Sequence, residues 1–555
     1  MAECFSKNLL VFLAICMHAA LPASGQELNK ALQPLSNSFD AYNKELERLD
    51  GIIPLQNSPL SVHSKEDIDA LLKTLPPPAA KSLPDETDQV KIKRRLSVDL
   101  QQALAIAVQN NMALQQQIAG ITEKRGLLKS VRGTFYPSLS MKLGAVYSEE
   151  SVNQWSTKDN QYIFSRPSPF YVPDGGWATL QNNFGVGFAQ LNLVYDLISF
   201  QRDSALAASK QKLIVAEQNY ANRLRQLQLD VSESYYRMQL ANQILQIRQV
   251  VVDNNQVVLD QVLAMKTAGF VPRVDLLRAK ANLEQSKFLL AKAKSESDSS
   301  ARELSNLINV PFDVTLIASE LVRLQPPWPL DLPQTLIRGF DDNPQLRALE
   351  ARRQAFMKQA DEQAAALLPR VGLFATAGLD ASQSRIPRVS SSSCCGMTVL
   401  PGFNKTSADW SAGVLMRWNL FDAGITAGAV QASQAAADRT LLRKAEVRNQ
   451  IRQILEQAFY QHKAAMRQII AAKASYQASR EAYRDTRARF EFGLADFTDL
   501  ADTIRSLTTS MEQQAEAITL VNVSYAQLLR ELLPVQIDPA QPVDLSIVFS
   551  STRQN

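Results

Sequence analysis

The sequence predicts a mixed α and β fold. Four membrane β-strands per chain feed a twelve-stranded barrel closed by three chains, and long antiparallel α-helical hairpins continue it. Three observations carry this expectation. Runs of helical composition without glycine or proline extend from Arg202 to Ala268 and from Ala429 to Phe492. Shorter segments alternate apolar and polar residues with the period of a strand. The whole body nearly repeats itself, with matches at offsets between 223 and 232 residues.

Taken in chain order, residues 1–25 read as an export signal. Lys7 precedes the apolar run Leu9–Cys16, and Ala23–Gly25 supplies small residues for cleavage. The run is too short to span a bilayer. Ile15, rather than a small residue, precedes Cys16, so lipidation is the lesser alternative. Residues 26–95 read as an appendage ending in the Pro-rich linker "LPPPAAKSLPDE". The body then divides into a first repeat at 96–325, a second at 326–534 and a tail at 535–555. Its first helix follows "LSVD", where Ser97 or Asp99 is placed to cap it.

The repeat is legible at four places in the same order. Asn111 and Leu114 match Asn343 and Leu346, and Pro137 matches Pro369. Tyr195 in "LVYDLISF" matches Trp418 in "MRWNLFDAG", and Gly269 with Asp275 matches Gly493 with Asp499. After Pro137, Leu139, Met141, Leu143, Ala145 and Tyr147 alternate with Ser140, Lys142, Gly144 and Val146. Val371 to Leu379 and Trp410 to Leu420 alternate likewise, whereas "FGVGFAQLNLVYD" does so less cleanly. A tilted strand of about ten residues can cross a bilayer. A half-buried antiparallel sheet of a soluble protein alternates in the same way, so the strands alone leave both readings open.

Each helical run would extend roughly 100 Å at ~1.5 Å per residue. On the first, Leu224, Leu227, Val231, Tyr235 and Met238 mark an apolar seam. Gly269 and Gly493 then mark turns, and helices return over Arg273–Val310 and Leu494–Leu533. Asp275 and Asp499 fall in the first turns of the returning helices, where a carboxylate interacts favourably with the helix dipole. Since ~8 strands are the minimum for a membrane barrel, four per chain demand an oligomer.

Composition excludes other classes. The chain has 555 residues and a formal charge of +4, with no Lys/Arg block to suggest nucleic acid. Its histidines are His18, His63 and His462, one in the signal and one in the appendage, so a histidine triad or metal cluster lacks parts. No enzyme, cofactor or metal site is expected. Cys394 and Cys395 are adjacent, and they read as loop cysteines without catalytic role or as sites of local or intermolecular redox chemistry. The aromatic stretch Asn153–Trp177 and the serine-rich stretch containing the cysteines separate paired strands as loops.

With "YPSL" at Tyr136–Leu139, "WNLFDAG" at Trp418–Gly424 and the two glycine turns, residues 97–534 resemble the TolC-like outer-membrane efflux protein family. The resemblance implies a homotrimeric channel-tunnel in the outer membrane of a Gram-negative bacterium, set in lipid, with a long periplasmic helical barrel. It implies docking with a periplasmic adaptor and an inner-membrane transporter, as the exit duct of an efflux or type I secretion system. It further implies a periplasmic aperture ringed by Asp499 and Asp502, and adaptor-docking tips at Gly269, Asp275 and Gly493. Ala495 and Phe490 replace two residues of the family's latch, which leaves Arg273 and Phe490 as candidate latch positions. A secreted coiled-coil scaffold or adhesin with a small β head is the rival reading. It explains helices and export, but not paired strands in each half.

Overall fold

A helix leaves its first N–H groups without partners, and at several helix starts this chain supplies them from a side chain. The computed structural model describes residues 83–155, 176–319, 322–341, 343–391, 398–399, 403–491 and 493–532. The export signal, residues 26–82, loop residues 156–175, Cys394, Cys395 and residues 533–555 lie outside the described residues. In chain order the main elements are β1 (Arg94–Val98), α1 (Leu100–Asn110), α2 (Met112–Gly133), β2 (Ser138–Trp155) and β3 (Trp177–Ile198). Next come α3 (Phe200–Thr267), α4 (Arg273–Leu307), β4 (Val314–Ala318), α5 (Leu332–Asp341) and α6 (Pro344–Ala364). The last are β5 (Arg370–Ser391), β6 (Phe403–Arg417), α7 (Ile425–Glu491) and α8 (Phe497–Leu532).

Of the two candidate caps, Asp99 takes the role. Its carboxylate accepts the Gln102 N–H at 2.8 Å while the Gln102 side chain accepts the Asp99 N–H at 3.0 Å, a closed capping box. Ser97 belongs to β1. Asn111 then interrupts the helical run: its Oδ1 accepts the Leu114 N–H at 3.0 Å and its Nδ2 donates to Leu307 O at 3.0 Å. Asn343 does the same between α5 and α6, accepting the Gln345 N–H and donating to Glu531 at 3.0 Å. In each half an asparagine thus starts a helix and grips the end of the returning helix.

The chain forms two compact units. One comprises Ile121–Val215 and Leu349–Arg443 and holds the large sheet. Its four long strands run in the order β2-β3-β5-β6, all antiparallel, so the two hairpins meet through β3 and β5. Register aligns the alternation of every strand. Met141, Leu191, Ala377 and Trp410 form one cross-strand row, and Leu143, Ala189, Leu379 and Ala408 the next. The opposite face carries polar rows such as Ser140, Asn192, Thr376 and Ser411, with Thr376 and Ser411 hydroxyls 2.7 Å apart. The less regular strand is β3, where Gly185 and Gly187 occupy apolar-face positions. Leu139, Met141, Leu143, Leu379, Trp410, Val414 and Met416 are exposed, so no core among the described residues covers the apolar face.

Strand limits differ from expectation. β2 continues to Trp155 and β5 to Ser391, beyond the bilayer-length segments predicted. The last strand stops at Arg417, short of the expected Leu420. There the Trp418 indole N–H donates to Leu367 O at 3.0 Å, and Asp422 accepts the Gly424 and Thr426 N–H groups. Ala423 and Gly424 take positive φ, which turns the chain into α7.

The other unit comprises residues to Gly120, Ala216–Ala348 and Lys444 onward. The predicted seam of α3 is buried at Leu224, Leu227, Val231, Tyr235 and Met238. On α7, Leu455, His462, Ile469, Tyr476, Tyr483 and Phe490 recur every seven residues, all buried. A strict seven-residue repeat keeps one stripe toward its neighbours, as in coiled coils. α8 runs antiparallel to α3: Glu512 pairs with Arg248 at 2.6 Å, Gln527 bonds Glu233 at 2.9 Å and Arg530 bonds Gln226 at 2.9 Å. A parallel pair, β1 with β4, completes this unit. No helix among the described residues is long and apolar enough to cross a membrane.

Candidate functional site: the hairpin tips

Both tips are built by the same backbone device. At the end of α3 the Phe270 N–H reaches back to Met265 O at 2.9 Å and the Gly269 N–H to Lys266 O at 3.0 Å. At the end of α7 the Leu494 N–H bonds Arg489 O at 2.7 Å and the Gly493 N–H bonds Phe490 O at 3.0 Å. This nested pair of bonds requires a left-handed residue at the turn, and Gly269 and Gly493 have φ of +84° and +71°. The residues just past the glycines, Phe270 and Leu494, are 79% and 73% exposed, so each tip presents one large apolar side chain to solvent.

Return caps occupy equivalent positions, three residues after each glycine. Pro272 precedes α4 and offers no side-chain bond. Asp496 precedes α8 and accepts the Asp499 N–H at 2.8 Å, so α8 starts at Phe497 rather than at Leu494. Asp275 and Asp499 therefore both stand at the third helical position. α4 correspondingly ends at Leu307, short of Val310.

The two tips are joined by Arg278, which pairs with Asp275 at 3.5 Å and donates to Thr498 Oγ1 at 3.2 Å. Arg273 is exposed at the start of α4 and takes no part in this bridge. Phe490 is fully buried, in one apolar cluster with Tyr483, Phe497, Leu500 and Ile504. Deeper between the hairpins, Arg487 Nη1 donates to Asn254 Oδ1 at 3.0 Å and to Tyr483 Oη at 2.6 Å, and the Tyr483 hydroxyl donates to Asn254 at 3.1 Å.

Asp499 and Asp502 lie on the exposed face of α8, opposite Phe497, Leu500, Ile504 and Leu507. Asp502 pairs with Arg505 at 2.9 Å, one turn on, while Asp499 has no ion-pair partner among the described residues. The sequence reading missed Asp496, Arg278 and Arg505. Asp496 and Arg505 had a readable signal, in cap position and three-residue spacing. Arg278 has the same spacing to Asp275, but its reach to Thr498 had no signal, because that residue is 220 positions away. No group of three or more metal-ligating side chains occurs among the described residues.

Comparison with known proteins follows the same outline. The family described as outer membrane efflux protein matches residues 103–310 and 340–532. Alkaline protease secretion protein AprF of Pseudomonas aeruginosa is 20% identical over 332 residues, which cover 59% of this chain and 65% of that protein. The Campylobacter jejuni CmeC outer membrane channel superposes with a TM-score of 0.62 at 13% identity, over 87% of this chain and 94% of that one. The open-state Neisseria gonorrhoeae MtrE outer membrane channel superposes at 0.58 with 17% identity, over 82% of this chain and 96% of that one.

Proposed function

Because the chain belongs to the outer membrane efflux protein family, we propose that it is the outer-membrane exit duct of a tripartite efflux or type I secretion system. The observation that carries this reading is the sheet of β2, β3, β5 and β6. One face is apolar, the other carries polar rows, and among the described residues the apolar face is uncovered and both end strands, β2 and β6, are paired on one side only. An open edge in hydrocarbon leaves backbone groups unsatisfied, so such a sheet is stable in a bilayer only when closed. Three copies give twelve strands and close it. The paired asparagine grips and the two equivalent tips support a duplicated body.

The helical hairpins form the periplasmic tunnel, and their tips are its entrance. Phe270 and Leu494 supply apolar knobs for a periplasmic adaptor, which joins the duct to an inner-membrane transporter. Asp499 and Asp502 of three chains surround the aperture and favour cations there. Arg278, held by Asp275, latches one hairpin to the other and sets how readily the entrance widens. The scaffold reading leaves the uncovered apolar face without a medium.

Single-channel recording in a planar bilayer tests the proposal, comparing wild type with Asp499→Asn plus Asp502→Asn. Small cation-selective events, blocked by trivalent cations in wild type and not in the double variant, are expected. Equal block in both would remove the aspartates from the aperture. Absence of conductance in both, from folded protein carrying Arg278→Ala to release the latch, would overturn the duct itself.

A further inference from the structure

The end of the large sheet from which α3 and α7 leave carries a charge pattern that stability alone does not favour. Arg370, the first residue of β5, stands directly opposite Arg417, the last residue of β6. Like charges that face each other across two strands are destabilising. Side chains alternate along a strand, so Arg370 falls on the face of Thr376, and Arg417 on the face of Ser411. That face bears the polar row Ser140, Asn192, Thr376 and Ser411. Arg417 is exposed and Arg370 half-buried, and neither has an ion pair among the described residues. The next row up carries one carboxylate, Asp196, which stands over Gly372 and pairs with neither arginine. Higher on the face, Lys142 shares a row with Asp409, which balances the charge there. The arginine row has no such balance. Two planar, permanently charged guanidinium groups side by side are the chemistry that grips carboxylate and phosphate oxygens. An anion between them turns the repulsion into a bridge.

We infer that Arg370 and Arg417 form an anion-binding ring on the inner wall of the barrel. On the duct reading, which this ring presupposes, closure by three copies with the polar face inward brings the arginine pairs of all three to one level. Rings of arginine or lysine favour anions and phosphate in pores, as rings of carboxylates favour cations. Asp499 and Asp502 favour cations at the hairpin tips, so the duct carries two filters of opposite sign. The ligand class of the arginine ring is a polyanion, or the carboxylate and phosphate groups of cargo that passes through the barrel. Repulsion between Arg370 and Arg417 is the stability cost of that grip.

Planar-bilayer recording with tripolyphosphate tests this, in the full chain carrying Arg278→Ala to release the latch. Three proteins are compared: that background alone, with Arg370→Gln plus Arg417→Gln, and with Arg370→Lys plus Arg417→Lys. Added on the barrel side, the polyanion reaches the ring without passing the carboxylates of the aperture. It should block the background protein, and half-block of the glutamine variant should need a roughly tenfold higher concentration. The lysine variant should keep most of the block, and only the glutamine variant should shift its reversal potential toward cation selectivity. Removing like charges should leave the heat-modifiable oligomer intact. Its loss would mean that the arginines hold the assembly, and would overturn the ring. So would equal block and equal reversal potentials in all three proteins, which put the arginines outside the conducting path, against lipid phosphate or bulk water. Absence of conductance from all three, as folded oligomer, would overturn the duct reading and the ring with it.

Discussion

A carboxylate acts on a passing ion through its field, and a cation in the same turn weakens that field. Asp502 has Arg505 at 2.9 Å, whereas Asp499 stands without an ion pair among the described residues. Both partners are exposed, so the pair is worth little to stability but offsets local charge. Asp499→Asn should therefore lower cation selectivity more than Asp502→Asn, and Arg505→Ala should raise it. Reversal potentials across a salt gradient measure all three, and equal effects of the two asparagine variants would refute the ranking. His462 is a second residue with a defined consequence. Its Nε2 accepts the Trp328 N–H at 3.3 Å, its Nδ1 faces Ser524 Oγ at 3.1 Å, and Ser524 donates to Val521 O at 2.9 Å. Burial holds it below the ordinary histidine value of 6.5. A protonated ring would set an N–H against the Trp328 N–H. The folded state thus binds the proton more weakly than the unfolded chain, and stability falls as pH drops through about 6.5 toward the lower folded value. Melting temperature followed from about pH 8 to pH 5 should fall more steeply in wild type than in His462→Leu. Parallel curves would show that the ring does not titrate in this window.

Elements in the two halves use equivalent devices with unequal consequences. Gly269 and Gly493 have open space around a would-be Cβ, so alanine there meets only the conformational penalty. That penalty is about 1–2 kcal/mol for a left-handed residue. Each single substitution should lower the melting temperature by a few degrees. The asparagine grips should differ. Asn111→Ala loses a cap and a bond to a backbone carbonyl, a loss of about 0.5–2 kcal/mol. Asn343→Ala also strips a partner from Glu531, which is 3% exposed, and should cost more in denaturant titration.

At the scale of the molecule, the proposed duct would set the two faces of the sheet in two media. Leu191 lies in a row of apolar side chains and Asn192 in a row of polar ones, although they are neighbours in sequence. Under the proposed duct, Leu191→Arg puts a charge toward lipid at a cost of about 2–4 kcal/mol near the midplane. It should sharply reduce heat-modifiable oligomer in the outer-membrane fraction. Asn192→Arg should assemble normally and alter conductance instead. Equal assembly of the two variants would contradict the assignment of faces.

The sequence by itself determined what local pattern can specify. Helix length followed from absent breakers, strand faces from period-2 alternation, the α3 seam from three- and four-residue steps, and the tips from glycine at two equivalent positions. These features depend on neighbours a few residues away. Tertiary structure alone decided the rest. β1 and β4 are five residues each and find one another across more than 200 positions. The Arg278 bridge, the Arg487–Tyr483–Asn254 cluster and the setting of His462 in an otherwise apolar heptad stripe join elements that no spacing rule connects. Even whether a described element covers the apolar face of the sheet waited on packing. Alternation creates an apolar face, and only the arrangement of the whole chain shows whether another element covers it.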